Sequence, residues 1–311
     1  MKVLSSLSDI TVTAGKPVPL GVTIGNFDGV HLGHRQLLGR IREDCFKKGL
    51  AFAVVTFVPH PQKILQPEKE HFLLNSYERR RSLLSSLGVD YLVELPFTRD
   101  FSTLTPEEFM GKHLTIEGVK SLYLGYDFAF GANKQGGHDL ALEYCRPRGI
   151  HVEIQPKYQV EGEVVSSTRV RDLLLEGSVD QASKFLARNF QLEGVVIKGE
   201  GRGKKIGFPT ANIQVSTDLI VPRNGVYVTK TLHQGMTYQS VTNVGFNPTF
   251  KEIRHLNIET NIFDFDRDIY GEPLEIEFVK KIRDERKFPT VNDLISQIRQ
   301  DVETAKKILS P

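Results

Sequence analysis

Leu20-Gly21-Val22-Thr23-Ile24-Gly25-Asn26-Phe27-Asp28-Gly29-Val30-His31-Leu32-Gly33-His34 joins a short apolar run to a glycine-bounded turn and the first turn of a helical pattern. Residues 20–25 have the length and apolar character of a buried strand, and the pattern that follows predicts a helix over about 31–48. A strand feeding a helix is the unit of parallel sheets, whose ligands sit at the carboxyl ends of the strands. His31 and His34 share one face of the predicted helix. Gly29 and Gly33 let backbone approach a ligand, and a helix start favours an anion. This combination suits a polyphosphate attacked at its α-phosphorus. Two other readings stay open: a zinc pair, which needs further ligands and lacks the usual i, i+4 spacing, and surface histidines without a role.

Outward from this stretch, strand patterns recur at 51–57, 91–95, 121–125 and 152–155, with helical patterns near 76–87, 105–118 and 138–148. Thr105-Pro106-Glu107-Glu108 has the form of an N-cap, a proline in the first turn, and acids favoured by the helix dipole. Arg79-Arg80-Arg81 reads as the solvated face of a helix, with anion binding as the alternative. The alternation predicts an α/β, Rossmann-like domain with a parallel sheet. Two short helices follow at 168–175 and 178–188, joined at Gly177. Then the pattern changes to strands at 191–197, 225–231, 238–244, 255–263 and 274–279, a spacing that predicts a sandwich or small barrel. An amphipathic C-terminal helix closes the chain: Val291, Leu294, Ile295, Ile298, Val302, Ala305 and Ile308 form a core-packing stripe, and Thr290 with Asp293 a capping box. Two domains follow, 1–186 and 187–311, with a soft boundary near 186–190.

Of 311 residues, 40% are hydrophobic and 25% charged, the balance of a folded chain. A formal net charge of +2 gives no footprint for nucleic acid or a membrane surface. Cys45 and Cys145 supply neither a disulfide framework nor zinc spacing. The N-terminus has no uninterrupted apolar core of a signal segment, so a reducing cytoplasm is expected. Oligomeric state is open.

A second phosphate-handling stretch lies past the middle. Gly199, Gly201, Gly203 and Gly207, with Lys204 and Lys205, form either a phosphate-wrapping loop or a flexible turn. Thr210 and Asn212, two apart on an extended segment, point to one side and offer a hydroxyl and an amide oxygen to Mg²⁺. Downstream, Leu256, Ile258, Thr260 and Ile262 alternate with Asn257, Glu259, Asn261 and Phe263, which turns Glu259 from the apolar face; pattern alone makes it a solvated strand residue. Ser166-Ser167-Thr168-Arg169-Val170-Arg171 places hydroxyls and guanidinium groups at a helix start, for phosphate or simply as a cap. No P-loop occurs.

Gly-x-Phe-Asp-Gly-Val-His-x-Gly-His with the later Ser-Ser-Thr-x-x-Arg resembles the nucleotidylyltransferase superfamily. Thr56-Phe57-Val58-Pro59-His60-Pro61 and Gly125-Tyr126-Asp127-Phe128-Ala129-Phe130-Gly131 narrow that resemblance to the bacterial bifunctional riboflavin kinase/FAD synthetases. Gly207-Phe208-Pro209-Thr210-Ala211-Asn212, Asn224-Gly225-Val226-Tyr227, Asn243 to Phe250, Ile258-Glu259-Thr260 and Asp268-Ile269-Tyr270-Gly271 occur in the order of riboflavin kinase modules. The resemblance implies a six-stranded closed barrel, phosphorylation of riboflavin to FMN with ATP, and adenylylation of FMN to FAD. It implies Glu259 as general base, Thr210 and Asn212 as Mg²⁺ ligands, and His31, His34 and Arg171 as catalytic groups of adenylyl transfer. Gly25, Phe27, Asp28, Gly29, Gly33, Ser167 and Thr168 would hold phosphate there, as Gly201, Gly203, Lys204 and Gly207 would in the barrel module. Pro59, His60, Pro61 and Asp127 would contact flavin. Two departures stand out: Asn261 where the family usually carries His, and Leu186-Ala187-Arg188-Asn189-Phe190 at the module junction. The competing readings are a different adenylyltransferase fused to a regulatory barrel, and a flavin-binding protein with one or neither activity.

Overall fold

In the computed structural model, which describes residues 1–199, 201–248 and 254–310, the chain divides into two units: Met1–Lys69 with Asn75–Ser166, and Glu70–Leu74 with Ser167–Pro311. Thr249 and Phe250, the end of one barrel motif, lie outside the described residues.

In the first unit, β1 (Lys2–Leu4), β2 (Leu20–Ile24), β3 (Ala51–Val58), β4 (Tyr91–Pro96), β5 (Val119–Gly125) and β6 (His151–Gln155) form one parallel sheet in the order β1-β4-β3-β2-β5-β6. The chain steps from β2 through β3 to β4 on one side, then lays β5 and β6 on the other. The order reverses beside β2, where an open sheet leaves a crevice at its carboxyl edge. Helices cover both faces, as both apolar faces of a parallel sheet require. Leu38, Ile41 and Cys45 of helix Leu32–Lys48 pack with Leu83 and Leu84 of helix Tyr77–Ser86 against Phe52, Val54 and Leu92. On the opposite face Phe109, Met110, Ala141 and Cys145 pack against Val22, Val55, Val93 and Leu122. Thr105 and Glu108 close a complete capping box, but the predicted 105–118 helix is Pro106–Phe109 running into a π-helical turn, Met110–Leu114. A two-stranded hairpin, β7 (Gln159–Val160) with β8 (Glu163–Val164), ends the unit.

In the second unit, helices Ser167–Glu176 and Val179–Leu186 precede β9 (Phe190–Ile197), β10 (Ala211–Val215), β11 (Gly225–His233), β12 (Met236–Pro248), β13 (Arg254–Ile262) and β14 (Pro273–Arg283). These strands close into an antiparallel barrel, β10-β13-β12-β11-β14-β9. Period-two alternation divides its residues. Val226, Val228 and Val241 face outward and pack with Ala305 and Val302 of helix Val291–Leu309. Alternate positions turn inward, among them Thr229, Thr231, Ser240, Thr242 and Thr260, each fully buried. Their hydroxyls satisfy one another: Thr229 bonds Ser240 and Thr242 at 2.8 Å each, Thr231 donates to Ser240 at 2.9 Å, and Thr242 bonds Thr260. A buried polar ladder so paired carries no desolvation debt. The segment Glu70–Leu74 straps onto this unit. His71 N donates to Thr217 O at 2.7 Å, Phe72 N to Asp218 O at 2.9 Å, and Ile220 N to Leu73 O at 2.8 Å.

Two expectations about surfaces are corrected. Arg79-Arg80-Arg81 is no solvated face, because the helical phase that buries Leu83 and Leu84 also buries Arg80, which is 3% exposed. The C-terminal stripe is not all core: Val291 is 60% exposed, while Leu294, Ile298 and Val302 line a cavity. Thr290 caps this helix by accepting from Asp293 N at 3.1 Å, but its hydroxyl donates to the Asp293 carboxylate at 2.8 Å, so the box is replaced by a side-chain pair.

Candidate functional site

At the carboxyl end of β2 the backbone leaves the sheet through Gly25-Asn26-Phe27-Asp28-Gly29-Val30 and enters helix Leu32–Lys48 with His31 as N-cap. Phe27, Gly29 and Val30 all have positive φ (49°, 83° and 39°). Glycine adopts this region freely, but Phe and β-branched Val do not, and such backbone outliers cluster at functional sites. Packing holds the loop: Phe27 and Val30 are buried in the core under the helix, Asp28 is buried, and Gly25 N donates to Val55 O at 3.1 Å. His31 Nδ1 accepts from His34 N at 3.2 Å. As an acceptor Nδ1 carries no proton, so the ring proton sits on Nε2. The two rings stack with centroids 3.6 Å apart, and Phe27 meets His34 edge-on at 5.1 Å. Burial first, and the neighbouring His31 second, hold His34 well below the usual imidazole range, so it stays neutral near pH 7. The loop therefore offers hydrogen-bond donors at a helix N-terminus, with His34 adding no imidazolium charge.

Arg80 ties this loop to the carboxyl end of β3, just before the turn that follows it. Its Nη1 donates to Asn26 O at 3.1 Å and its Nη2 to Phe57 O at 3.3 Å, with Glu94 Oε1 3.5 Å from Nη2. Arg81 holds the same Glu94 through Nε at 3.1 Å and Nη2 at 2.6 Å. Thr56 Oγ1 also reaches Asn26 O, at 3.2 Å. Beyond the turn, His60 caps the short helix Pro61–Leu65 by accepting from Gln62 N at 3.2 Å, and its own N–H donates to Tyr77 Oη at 2.8 Å. Pro59 and Pro61 flank this buried histidine, both half-exposed. Asp127 is exposed beside β5, while Phe128 and Phe130 stack at 5.1 Å in the core. Ser167, Thr168 and Arg171 belong to the first helix of the second unit, where Arg171 Nε donates to Phe72 O at 2.7 Å.

The second unit has a cavity of about 520 Å³ on the outer barrel wall, beside the C-terminal helix. Gly199, Gly201, Gly203, Thr210, Asn212 and Glu259 all line it; Lys204 and Gly207 do not, and Arg202 does. Strand pairing creates the constellation, because Asn212 lies directly opposite Glu259 between β10 and β13. Cross-strand partners present side chains on one face. The Asn212 amide packs on Gly199, where any Cβ would overlap it. Asn257 Nδ2 donates to Glu259 Oε1 at 2.7 Å, and Asn243 Nδ2 to Glu285 Oε1 at 3.2 Å. Arg283 closes the wall by gripping buried Asp301 with Nε at 3.1 Å and Nη2 at 2.8 Å. Pattern reading put Glu259 on the polar face, and alternation extends that face to Asn257 and Asn261. Asn243, Glu285, Arg283 and Asp301 were not legible as part of this site, since they come from other strands, the loop after β14 and the helix. Among the described residues, no group of three His, Cys, Asp or Glu is placed to hold a metal ion, and no helix is long and apolar enough to cross a membrane.

The family described as FAD synthetase matches residues 16–169, and that described as riboflavin kinase matches 186–309. The chain is 35% identical over 302 residues to the bifunctional riboflavin kinase/FMN adenylyltransferase of Listeria monocytogenes, covering 97% of this chain and 96% of the relative. It is 34% identical over 291 residues to the protein of the same name from Escherichia coli K12, covering 92% and 91%. A crystal structure of a Streptococcus pneumoniae protein described as a macrolide-efflux protein superposes with a TM-score of 0.87 at 32% identity, covering 98% of each chain.

Proposed function

The chain belongs to the family of bifunctional riboflavin kinase/FMN adenylyltransferases, and from that premise we propose that its two reactions are divided between the barrel-wall cavity and the loop after β2. The enzyme phosphorylates riboflavin to FMN with ATP and then adenylylates FMN to FAD, releasing pyrophosphate. The observation that carries the division is the pairing of Asn212 with Glu259 in the wall of a cavity also lined by Thr210 and three loop glycines.

In the cavity, Glu259 takes the proton of the terminal ribityl hydroxyl as that oxygen attacks the γ-phosphorus; the new O–P bond forms as the bond to ADP breaks. The Asn257 amide fixes one carboxylate oxygen and so orients the other. Backbone amides of the loop through Gly201 and Gly203, with Lys204 and Gly207 beyond it, receive the phosphates. Thr210 and Asn212 are neutral oxygen donors that both line the cavity, the Asn212 amide packed on Gly199, and this donor set fits Mg²⁺ arriving with ATP; the ion would neutralise charge on the phosphoryl group.

In the first unit the attacking group is the FMN phosphate, already an anion, so no base is needed. It displaces pyrophosphate from the α-phosphorus of ATP. Donors around Gly25, Phe27, Asp28, Gly29 and Gly33, the His31 Nε2–H and His34 align the chain of phosphates. Ser167, Thr168 and Arg171, on the first helix of the second unit, stand as phosphate-handling residues on their motif alone. The turn of Pro59, His60 and Pro61, with Asp127, takes the flavin. We place the working boundary at 186/187, supported by the riboflavin kinase match beginning at residue 186. The partners are small molecules, and neither reaction needs a nucleic acid or a membrane. Cys45 and Cys145, both free and buried, fit a reducing cytoplasm.

Incubation with riboflavin and ATP·Mg, followed by chromatography, tests this: FMN should rise first and FAD after it, and a chelator should stop both. Conversion of supplied FMN to FAD without any FMN from riboflavin overturns the kinase half.

A further inference from the structure

Asn261 stands two residues past Glu259 on β13 and lines the same cavity. The ladder between β10 and β13 consists of Asn212 opposite Glu259 and Ala211 opposite Thr260, and there it stops. The next residues of the chain are Thr210 and Pro209, and proline has no N–H to continue a ladder. The Asn261 side chain takes over where the main chain ends: its Nδ2 donates to Pro209 O at 2.7 Å.

Pro209 is the joint between the glycine loop and Thr210. On its loop side, Phe208 N donates back to Gly203 O at 2.9 Å. On its other side Gly203 packs so closely that a Cβ there would overlap Phe208 O and stand 3.3 Å from Thr210 Oγ1. One bond therefore holds the loop that would receive phosphate and the hydroxyl that would face the metal, both against the strand that carries Glu259. A carboxamide makes this bond without titrating. A histidine at this position, as in the family's usual pattern, could donate from one ring nitrogen but would titrate near pH ~6.5.

We propose that Asn261 is a positioning residue of the kinase reaction, clamping Pro209 so that Thr210 and the Gly201–Phe208 loop are set for ATP before it binds. This rests on the cavity being the kinase site. The full-length protein is assayed as Asn261→Ala, Asn261→His and, in the same series, Glu259→Gln, with FMN adenylylation and melting temperature as controls. Asn261→Ala should raise the KM for ATP·Mg by roughly three- to tenfold, the size of one net hydrogen bond, with kcat within about twofold and adenylylation unchanged. Asn261→His at pH ~8 should bring the KM back towards wild type, since neutral imidazole still offers one N–H. An unchanged KM in Asn261→Ala, no rescue by Asn261→His, or an equal fall in both activities with a lowered melting temperature overturns the clamp. If Glu259→Gln still phosphorylates riboflavin, the cavity is not the kinase site and the clamp falls with it. If Glu259→Gln is inactive while Asn261→Ala is unaffected, the clamp alone falls.

Discussion

Arg80→Met removes the guanidinium that ties the loop after β2 to the carboxyl end of β3 while filling most of its volume. Two bonds to carbonyls are lost, to Asn26 O at 3.1 Å and Phe57 O at 3.3 Å, with the long 3.5 Å contact to Glu94 Oε1; hydrogen bonds from a charged donor contribute about 1.5–3 kcal/mol each. Against that stands the desolvation of a buried cation, which already pulls the Arg80 pKa down more than Glu94 restores it. Such a penalty amounts to several kcal/mol per ion. The usual catastrophe of a broken buried pair is also avoided, because Arg81 keeps its bidentate hold on Glu94 and the Thr56 hydroxyl still serves Asn26 O. The net cost to the first unit should therefore be modest, about 1–3 kcal/mol. Activity should suffer more than stability. A loop displaced by ~1 Å costs on the order of 10²-fold in a reaction that depends on alignment. Kinetics of FMN to FAD should show that fall, with riboflavin to FMN unchanged, and urea denaturation should show the modest destabilisation. Arg80→Lys keeps the charge but cannot fork across two carbonyls, so it should leave most of the defect in place. If Arg80→Met makes FAD within twofold of wild type, the tie from the loop to β3 is irrelevant to catalysis and the reasoning fails.

Glu259→Gln should lower FMN formation by roughly 10² to 10⁴ while supplied FMN still becomes FAD; a kinase rate within about twofold of wild type would move the search for a base to Asp264, Asp266 and Asp268. His34 has a folded pKa below its ordinary value, so the unfolded chain takes up the proton first as pH falls through ~6.5 and stability drops below that point. Denaturation midpoints between about pH 7.5 and 5 should therefore decline, with a shallower decline in His34→Ala; identical slopes contradict the assignment. A fragment of residues 187–311 keeps the lining of the cavity and should convert riboflavin to FMN and stop. It lacks the buried faces of Val179, Ala182, Phe185 and Leu186, so a fragment of 167–311 should denature at higher urea. Cooperative folding of 187–311 without FMN formation would refute the assignment of the kinase to the barrel.

The main strand and helix alternation of the first unit was legible because its apolar runs are strand-length and three of the four predicted helices carry a local cap, as Thr105 with Glu108 does without a distant partner. The short edge strand Lys2–Leu4 and helix Ser8–Ala14, without a side-chain cap, were not. Element ends followed less well. The π-helical turn at Met110–Leu114 has no local signature. β10 was seen only as an extended segment: Ala211 to Val215 does alternate apolar and polar residues, but five residues are too few to set it apart from a loop until β9 and β13 flank it. At the sites, motif residues were recognisable one by one, but what joins them was not. Arg80 was misread because a charged triplet normally lies in water; the signal that finds it is its helical phase with Leu83 and Leu84. The pairing of Asn212 with Glu259 is a matter of register between strands far apart in sequence, which periodicity cannot supply.

The proposed division of the two reactions between two sites makes one demand that a single experiment meets. His34→Ala should stop at FMN, and Glu259→Gln should use FMN but make none, so neither alone turns riboflavin and ATP·Mg into FAD. Mixed in one tube, they should restore FAD formation, because FMN released by one protein is substrate for the other. A mixture as inactive as either variant alone would contradict the division of labour.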